Sequence, residues 1–380
     1  MHKIGVPIDE LRIYGGFYMD NYKYLSIVEW SKNYIADNML REGDKFLSEN
    51  ELSSMHKVSR QTVRQALTVL ENQNIISRVR GSGTYVKNNP GSEIIPGHVN
   101  IGLISTYFGD YIFPSIVTGI EKVLRKNNVG MQLAITRNKV YEESRALRSM
   151  IDQGVQALII EPSKSAFPNQ NEKLFEDIKA KNIPVVFFNA KYPWADFPVV
   201  SLDDAAAGKA AADYLFENGH NRICAIFAVD DIQGHERYRG FMESCIEHGL
   251  EKAEENVMWY STQESAMLSS IFEVKIRKLL KSSGATAVVC YNDRVAIDFI
   301  GFCKSQGISV PDDLSVISID DSTLAEMCDI PLTSVRHPQQ LLGEKTAQLV
   351  IDLIKNPIRK VEDYYFNPEI TVRDSVKEYK

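Results

Sequence analysis

Apolar residues along this chain follow two different rhythms. In the first quarter they recur at helical spacing. Val63, Ala66, Leu67 and Leu70 stand at i, i+3, i+4 and i+7 and mark one face of a helix. Ser59 is placed to cap that helix, and Ser48 followed three residues later by Glu51 has the capping-box spacing that starts a shorter helix ending near His56. An earlier amphipathic segment carries Ile27, Trp30, Tyr34 and Ile35. Segments 75–80 (IISRVR) and 84–87 (TYVK) flank Gly81, Ser82 and Gly83 and read as a two-stranded hairpin with a glycine turn.

Beyond position 98 the pattern changes. Short apolar runs alternate with helix-length segments: 100–105 (NIGLIS), 131–136 (MQLAIT), 157–161 (ALIIE), 184–189 (PVVFFN), 223–228 (ICAIFA), 286–291 (TAVVCY) and 314–320 (LSVISID). Nearly continuous apolar runs fit strands buried on both faces of parallel sheets, with the intervening helices as crossovers, so this region is α/β. Segment 88–97 (NNPGSEIIPG) has the Asn, Pro and Gly content of a linker. The expected organisation is an N-terminal extension over 1–19, a small helix-and-hairpin domain over 20–87, a linker over 88–98 and a large domain over 99–380. Met19 directly precedes the first amphipathic segment, and translation is expected to begin there.

Composition narrows the class. The chain is 44% hydrophobic and 24% charged, with no uninterrupted apolar run long enough to span a bilayer. No basic and then apolar leader opens it, so a cytoplasmic location is expected. Cys224, Cys245, Cys290, Cys303 and Cys328 are odd in number and lack CxxC spacing, which argues against a disulfide framework or a zinc site. No metal site is expected. The net charge of −7 disfavours nucleic acid, yet between positions 20 and 90 there are ten Lys and Arg against eight Asp and Glu. The acidic excess lies in the large domain.

The small domain carries the first candidate chemistry. Opposite its apolar face, the capped helix presents Arg60, Gln61, Thr62, Arg64 and Gln65 near its N-terminal half. Such groups can read guanine and adenine edges or clamp phosphate when a helix enters a major groove. The same residues would equally serve as an ordinary solvated face. The hairpin tilts the balance, because a glycine turn beside Arg80 lets backbone N–H groups approach a phosphate closely. In combination, FLSENELS, VSRQTVRQALTVLENQNII and RVRGSGTYV resemble the GntR-type winged helix over about 24–86. That resemblance implies DNA contacts from Ser48, Asn50, Arg60, Gln61, Thr62, Arg64, Arg80 and Gly81. Leu47 departs from it, standing where the family usually has proline.

In the large domain, polar side chains end or follow the apolar runs: Glu161, Asn189, Asn292 and Asp320, with Arg237 expected to open the helix after ICAIFA. Ligands in open parallel sheets sit beyond the carboxyl ends of the strands. Carboxylates, amides and a guanidinium together can satisfy a polyhydroxylated ligand, and Tyr107, Phe108, Tyr111, Phe113 and Trp194 could pack on a sugar ring. Asn and Asp also end strands simply because they favour turns. Here NIGLIS, ENGHNRICAIF, QGHERYRGF, AVVCYNDRVAI, VPDDLSVISIDD and PLTSVRHP resemble the effector domain of the LacI/GalR repressors. The implied fold is bilobal and periplasmic-binding-protein-like (type I), with two parallel-sheet lobes crossed near Ser201, Arg336 and Phe366.

By the same resemblance Arg237, Asn292 and Asp320 match sugar contacts. Asn189 stands where many members have aspartate, and Ile319 where tyrosine or phenylalanine is common. A GntR-type winged helix fused to this domain resembles the arabinose-responsive repressors of Gram-positive bacteria, supported by DYIFPSI, EPSKSA and CYND. The implied effector is L-arabinose, the implied partner is operator DNA bound by a homodimer, and no cofactor is implied. Ligand candidates are therefore Tyr107, Tyr111, Glu161, Asn189, Arg237, Asn292 and Asp320. GxxxxGK[ST], HExxH and GxSxG are all absent from the sequence, which argues against an enzyme, and an exported sugar carrier would lack the DNA module.

Overall fold

A computed structural model describes residues 19–37, 40, 43–79, 82–87, 99–109, 111–265, 270–356 and 361–379. Arg80, Gly81, the extension ahead of Met19 and the whole of the expected linker lie outside the described residues. The chain divides into two compact units, 1–96 and 97–380.

The first unit contains α1 (Met19–Asp37), α2 (Glu49–His56), α3 (Arg60–Asn72) and the hairpin β1 (Ile76–Val79) and β2 (Gly83–Val86). Both expected caps form. Ser48 Oγ accepts from the Glu51 amide while the Glu51 carboxylate accepts from the Ser48 amide at 2.7 Å, and Ser59 Oγ accepts from the Thr62 amide at 3.2 Å. Each such cap satisfies amides the helix itself cannot. Val63, Ala66, Leu67 and Leu70 are fully buried with Ile27, Val28, Ile35, Leu52 and Val86 in one core. Burying a large apolar side chain contributes about 1.5–3 kcal/mol, so this face fixes the helix. The hairpin pairs Ile76 with Val86 and Val79 with Gly83.

The second unit is built on two six-stranded sheets. The first lobe holds β3 (Asn100–Ser105), β4 (Gly130–Ile135), β5 (Ala157–Ile160), β6 (Val185–Phe188), β7 (Val199–Leu202) and β13 (Tyr364–Phe366) in the order β4-β3-β5-β6-β7-β13, all parallel. The second holds β8 (Ile223–Ala228), β9 (Val257–Tyr260), β10 (Ala287–Cys290), β11 (Ser315–Asp320), β12 (Thr333–Arg336) and β14 (Ile370–Thr371) in the order β9-β8-β10-β11-β12-β14. Only β14 runs antiparallel to its neighbour. The crossovers are α4 (Phe113–Lys126), α5 (Val140–Asp152), α6 (Glu172–Ala180), α8 (Ile232–Glu247), α9 (Thr262–Ser265), α10 (Ser270–Ser283), α11 (Asp293–Ser305) and α12 (Thr323–Met327).

Every residue of β5, β6, β8, β10 and β11 is buried, which is why these strands read as unbroken apolar runs. Between β7 and β8 the chain passes to the second lobe through α7 (Asp204–Glu217). It returns after β12 through α13 (Gln339–Lys355), and β13 leads back to β14. The crossings thus fall beside Ser201, Arg336 and Phe366. Helix α7 packs against β11 and β12, and α13 against β5, β6 and β7, so each lobe is completed by a helix beyond a crossing.

One close approach positions the site. A Cβ on Gly240 of α8 would lie 1.8 Å from the Ala205 carbonyl of α7, and one on Gly208 would lie 2.0 Å from the Arg237 carbonyl. The backbones of α7 and α8 can touch only because glycine stands at both places, and this contact seats Arg237 one turn before Gly240.

Candidate functional site

In the first unit, Arg60, Gln61, Arg64 and Gln65 are exposed along α3 and Thr62 is half-buried. Ser48 and Asn50 are exposed at the start of α2. Not all of this face is free. Arg64 Nε donates to Glu49 Oε2 at 2.9 Å, a surface pair worth about 0–1 kcal/mol and so easily exchanged for another acceptor. Thr62 Oγ1 shares a 2.9 Å hydrogen bond with Ser59 Oγ. Arg78 is held by Glu71 and by Thr68, which braces the hairpin against α3.

In the second unit, Tyr107, Tyr111, Glu161, Asn189, Arg237, Asn292 and Asp320 line one cavity of about 490 Å³, within the size range of small-molecule sites. The strand-end rule explains most of the convergence. Glu161 follows β5, Asn189 follows β6, Asn292 follows β10 and Asp320 ends β11. Tyr111 and Arg237 arrive from the segments that lead into α4 and along α8; Arg237 sits in the second turn of α8 rather than opening it.

Arg237 is the anchor. Its guanidinium is almost fully buried, with Nε donating to Asp204 Oδ1 at 2.8 Å, one terminal nitrogen to the Tyr291 carbonyl at 2.5 Å and the other approaching Asp320 Oδ1 at 3.4 Å. It also lies 4.7 Å from the centre of the Tyr291 ring. Guanidinium carries five N–H donors, so two remain for a ligand. Burial pushes the Asp204 carboxyl up to about 6 and Asp320 up to about 7, despite the opposing pull of Arg237.

Four lining residues have left-handed backbone: Tyr111 at φ 69°, Asn138 at φ 55°, Asn189 at φ 62° and Asp320 at φ 116°. Such conformations cost about 1–3 kcal/mol each and persist where surrounding contacts enforce them. Here Tyr111 donates its hydroxyl to Asp320 Oδ2 at 2.5 Å and accepts from the Asp293 amide. Asp293 in turn is fixed by the hydroxyls of Ser318, Ser322 and Ser334, which tie β11 to β12. The Asn189 carbonyl accepts from Ser201 Oγ.

Glu161 plays a different part from the one its residue type suggested. Oε2 accepts from the Thr106 amide and hydroxyl and from Ser105 Oγ, while Oε1 accepts from Asn189 Nδ2 at 2.8 Å. Its carboxylate is therefore committed to orienting the β3 loop and Asn189. That leaves Asn189 Oδ1 buried with no hydrogen-bond partner, and Nδ1 of His337 is buried in the same condition. Unpaired buried polar atoms cost about 1–3 kcal/mol and call for an explanation such as a ligand. Burial beside Arg237 pushes His337 down to about 3, so its ring is neutral. Asn292 spends its carbonyl on the cap of α11.

Aromatic expectations are only partly met. Tyr107, Tyr111 and Phe113 line the cavity, but Phe108 is exposed and is not among the lining residues. Trp194 stacks on Tyr192 at 4.7 Å within the aromatic core of the first lobe, so it is structural. Tyr260 and Tyr291 supply aromatic surface instead. Asn138, Asp231, Tyr260, Thr262, Asp298 and His337 also line the cavity without having been singled out. Tyr260 ends β9, Thr262 lies just beyond it and His337 follows β12; β9 alternates half-buried with buried positions and β12 is largely polar in sequence, so neither is the apolar strand buried on both faces to which the strand-end rule applies.

The cavity thus combines buried acceptors, a guanidinium, amides and aromatic faces, and a DNA-binding-type unit precedes it on the chain. Together they define a ligand-responsive transcription regulator. Residues 23–86 match the family described as bacterial regulatory proteins of the gntR family, and residues 212–376 match a periplasmic binding protein-like domain. The chain is 36% identical to an arabinose metabolism transcriptional repressor of Geobacillus stearothermophilus over 94% of this chain and 98% of that one. It is 31% identical to another from Halalkalibacterium halodurans over 94% and 97%. Among solved structures, the transcription regulator CcpA of Lactococcus lactis superposes with a TM-score of 0.65 at 24% identity, over 74% of this chain and 100% of that one. The chain belongs to the family of arabinose metabolism transcriptional repressors.

Proposed function

We propose that this chain represses sugar-utilisation genes by binding operator DNA as a homodimer, and that L-arabinose seated between the lobes releases it. Residues 20–87 act as the DNA-binding domain, 88–98 as linker and 99–380 as effector and dimerisation domain. Arg60, Gln61, Thr62 and Arg64 enter the major groove, Ser48 and Asn50 contact the backbone, and Arg80 with Gly81 forms the wing contact. The protein works in the cytoplasm, without a cofactor and without a catalytic step. The observation that carries the reading is the convergence of Arg237, Asn292, Asp320 and Asn189 on one cavity that pairs donors and acceptors with aromatic faces. Pyranose hydroxyls both donate and accept, so they can answer the carboxylate of Asp320, the spare donors of Arg237 and the bare oxygen of Asn189.

Calorimetric titration of the full-length chain with L-arabinose, D-xylose, D-ribose and D-galactose tests the effector. L-Arabinose is expected to bind tightest and to be the sugar that abolishes an operator gel shift. Tighter binding of another sugar of that panel, or turnover of any of them, contradicts the reading.

A further inference from the structure

The lobes are joined by more than the crossings. Loops after β4 and β5 in the first lobe meet the loops after β8 and β9 in the second. Asn138 Nδ2 donates to Asp231 Oδ1 at 3.1 Å and to Thr262 Oγ1 at 3.2 Å. Lys164 Nζ pairs with the Asp230 carboxylate and reaches Thr262 Oγ1 at 3.2 Å. The Ala166 amide donates to the Asp230 carbonyl at 3.3 Å, and the Ile232 amide to Ser165 Oγ at 2.9 Å. Lys164 has left-handed backbone at φ 51°, and its amide is held by Asn138 Oδ1 at 2.6 Å. The side chain of Asp230 is only 1% exposed and that of Lys164 19%.

Except for the Lys164–Asn138 bond, which lies within the first lobe, each of these bonds joins groups on different lobes and exists only while the lobes are together. The crossings, by contrast, persist in any arrangement. Asn138, Asp231 and Thr262 line the cavity, whereas Lys164 and Asp230 do not. We propose that Lys164 and Asp230 are positioning residues whose ion pair latches the lobes, and that the latch sets the apparent affinity for the effector. This rests on the reading of the cavity as the effector site. A ligand that needs the closed form binds with an affinity reduced by the fraction of molecules closed. Removing the lysine leaves Asp230 buried with the Thr262 amide and hydroxyl as donors but without its cation, a cost that opening relieves, which lowers that fraction.

Lys164→Met tests this in the full-length chain, with Lys164→Arg and Asp230→Asn as companions in case the first folds poorly. In hydrogen exchange without sugar, the amides of Ala166 and Ile232 are expected to exchange at least tenfold faster in Lys164→Met. Those of β8 and β10 should be unchanged. In calorimetry, the Kd for L-arabinose is expected to rise at least tenfold, and the sugar concentration that releases operator to rise with it; Lys164→Arg should lie within threefold of wild type. Unchanged exchange overturns the latch. Faster exchange with unchanged L-arabinose affinity overturns its link to the effector. If the wild type binds no L-arabinose, the effector reading fails, and the exchange result alone decides the latch.

Discussion

Replacing Arg237 with methionine separates sugar binding from operator binding, and its cost can be worked from the geometry. The guanidinium faces Asp204 at 2.8 Å and Asp320 at 3.4 Å. At an effective dielectric of about 20 those pairs attract by roughly 6 and 5 kcal/mol. Desolvation offsets most of this, and removing one partner of a buried pair costs about 3–5 kcal/mol net. Because burial already raises Asp204 to about 6 and Asp320 to about 7, the orphaned carboxyls escape part of the penalty by taking up protons. The loss of stability should therefore be larger at pH 8 than at pH 6. For the sugar, two charge-assisted hydrogen bonds at about 1.5 kcal/mol each give about 3 kcal/mol, or roughly a 150-fold weaker Kd. Urea denaturation at both pH values, calorimetry with L-arabinose and a gel shift with operator make the measurement. A folded variant that keeps operator affinity but no longer responds to sugar is expected. Binding of L-arabinose within threefold of wild type would refute the assignment of Arg237.

Three other outcomes follow from the structure. Gly240→Ala pushes a methyl into the Ala205 carbonyl; overpacking of this kind costs about 1–3 kcal/mol, so melting temperature and L-arabinose affinity should fall together. Arg64→Ala should weaken operator binding by about 1–3 kcal/mol and reduce the salt slope by about 1 if it reaches DNA, with sugar affinity unchanged; equal operator affinity would remove Arg64 from the interface. Asp320 has a folded-state pKa raised from 3.8 to about 7. It therefore binds its proton more tightly in the folded chain, and its contribution is full below pH 3.8 and lost as pH rises through about 7. Asp320→Asn should flatten the decline in stability between pH 5 and pH 8 by an amount on the order of 2 kcal/mol, measured by urea denaturation.

Much of this was legible in the sequence because the local signals are short-ranged. Ser48 with Glu51 and Ser59 with Thr62 fix helix starts over three residues, and the apolar face of α3 repeats at helical spacing whatever the tertiary context. Strands β3, β8 and β11 were readable because both of their faces are buried. The strands missed as apolar runs, such as β9, β12 and β13, have half-buried or exposed positions or polar residues among the buried ones, so unlike β5, β6 and β10 they are not apolar runs buried throughout. With them went Thr262 and His337. Trp194 was misassigned for a related reason: its loop location is visible in the sequence, but the partner that claims its ring, Tyr192, is chosen by tertiary packing. The role of Glu161 depends on the direction of Asn189, and the latch on loops brought together from positions 138, 164, 230 and 262, which no local pattern encodes.

Operator affinity of the full-length chain, followed by fluorescence anisotropy as L-arabinose is added, addresses the coupling of the two units directly. Affinity is expected to fall by about 5- to 150-fold at saturating sugar, with operator DNA weakening sugar binding by the same factor. Operator affinity that stays constant while calorimetry shows the cavity filled would contradict it.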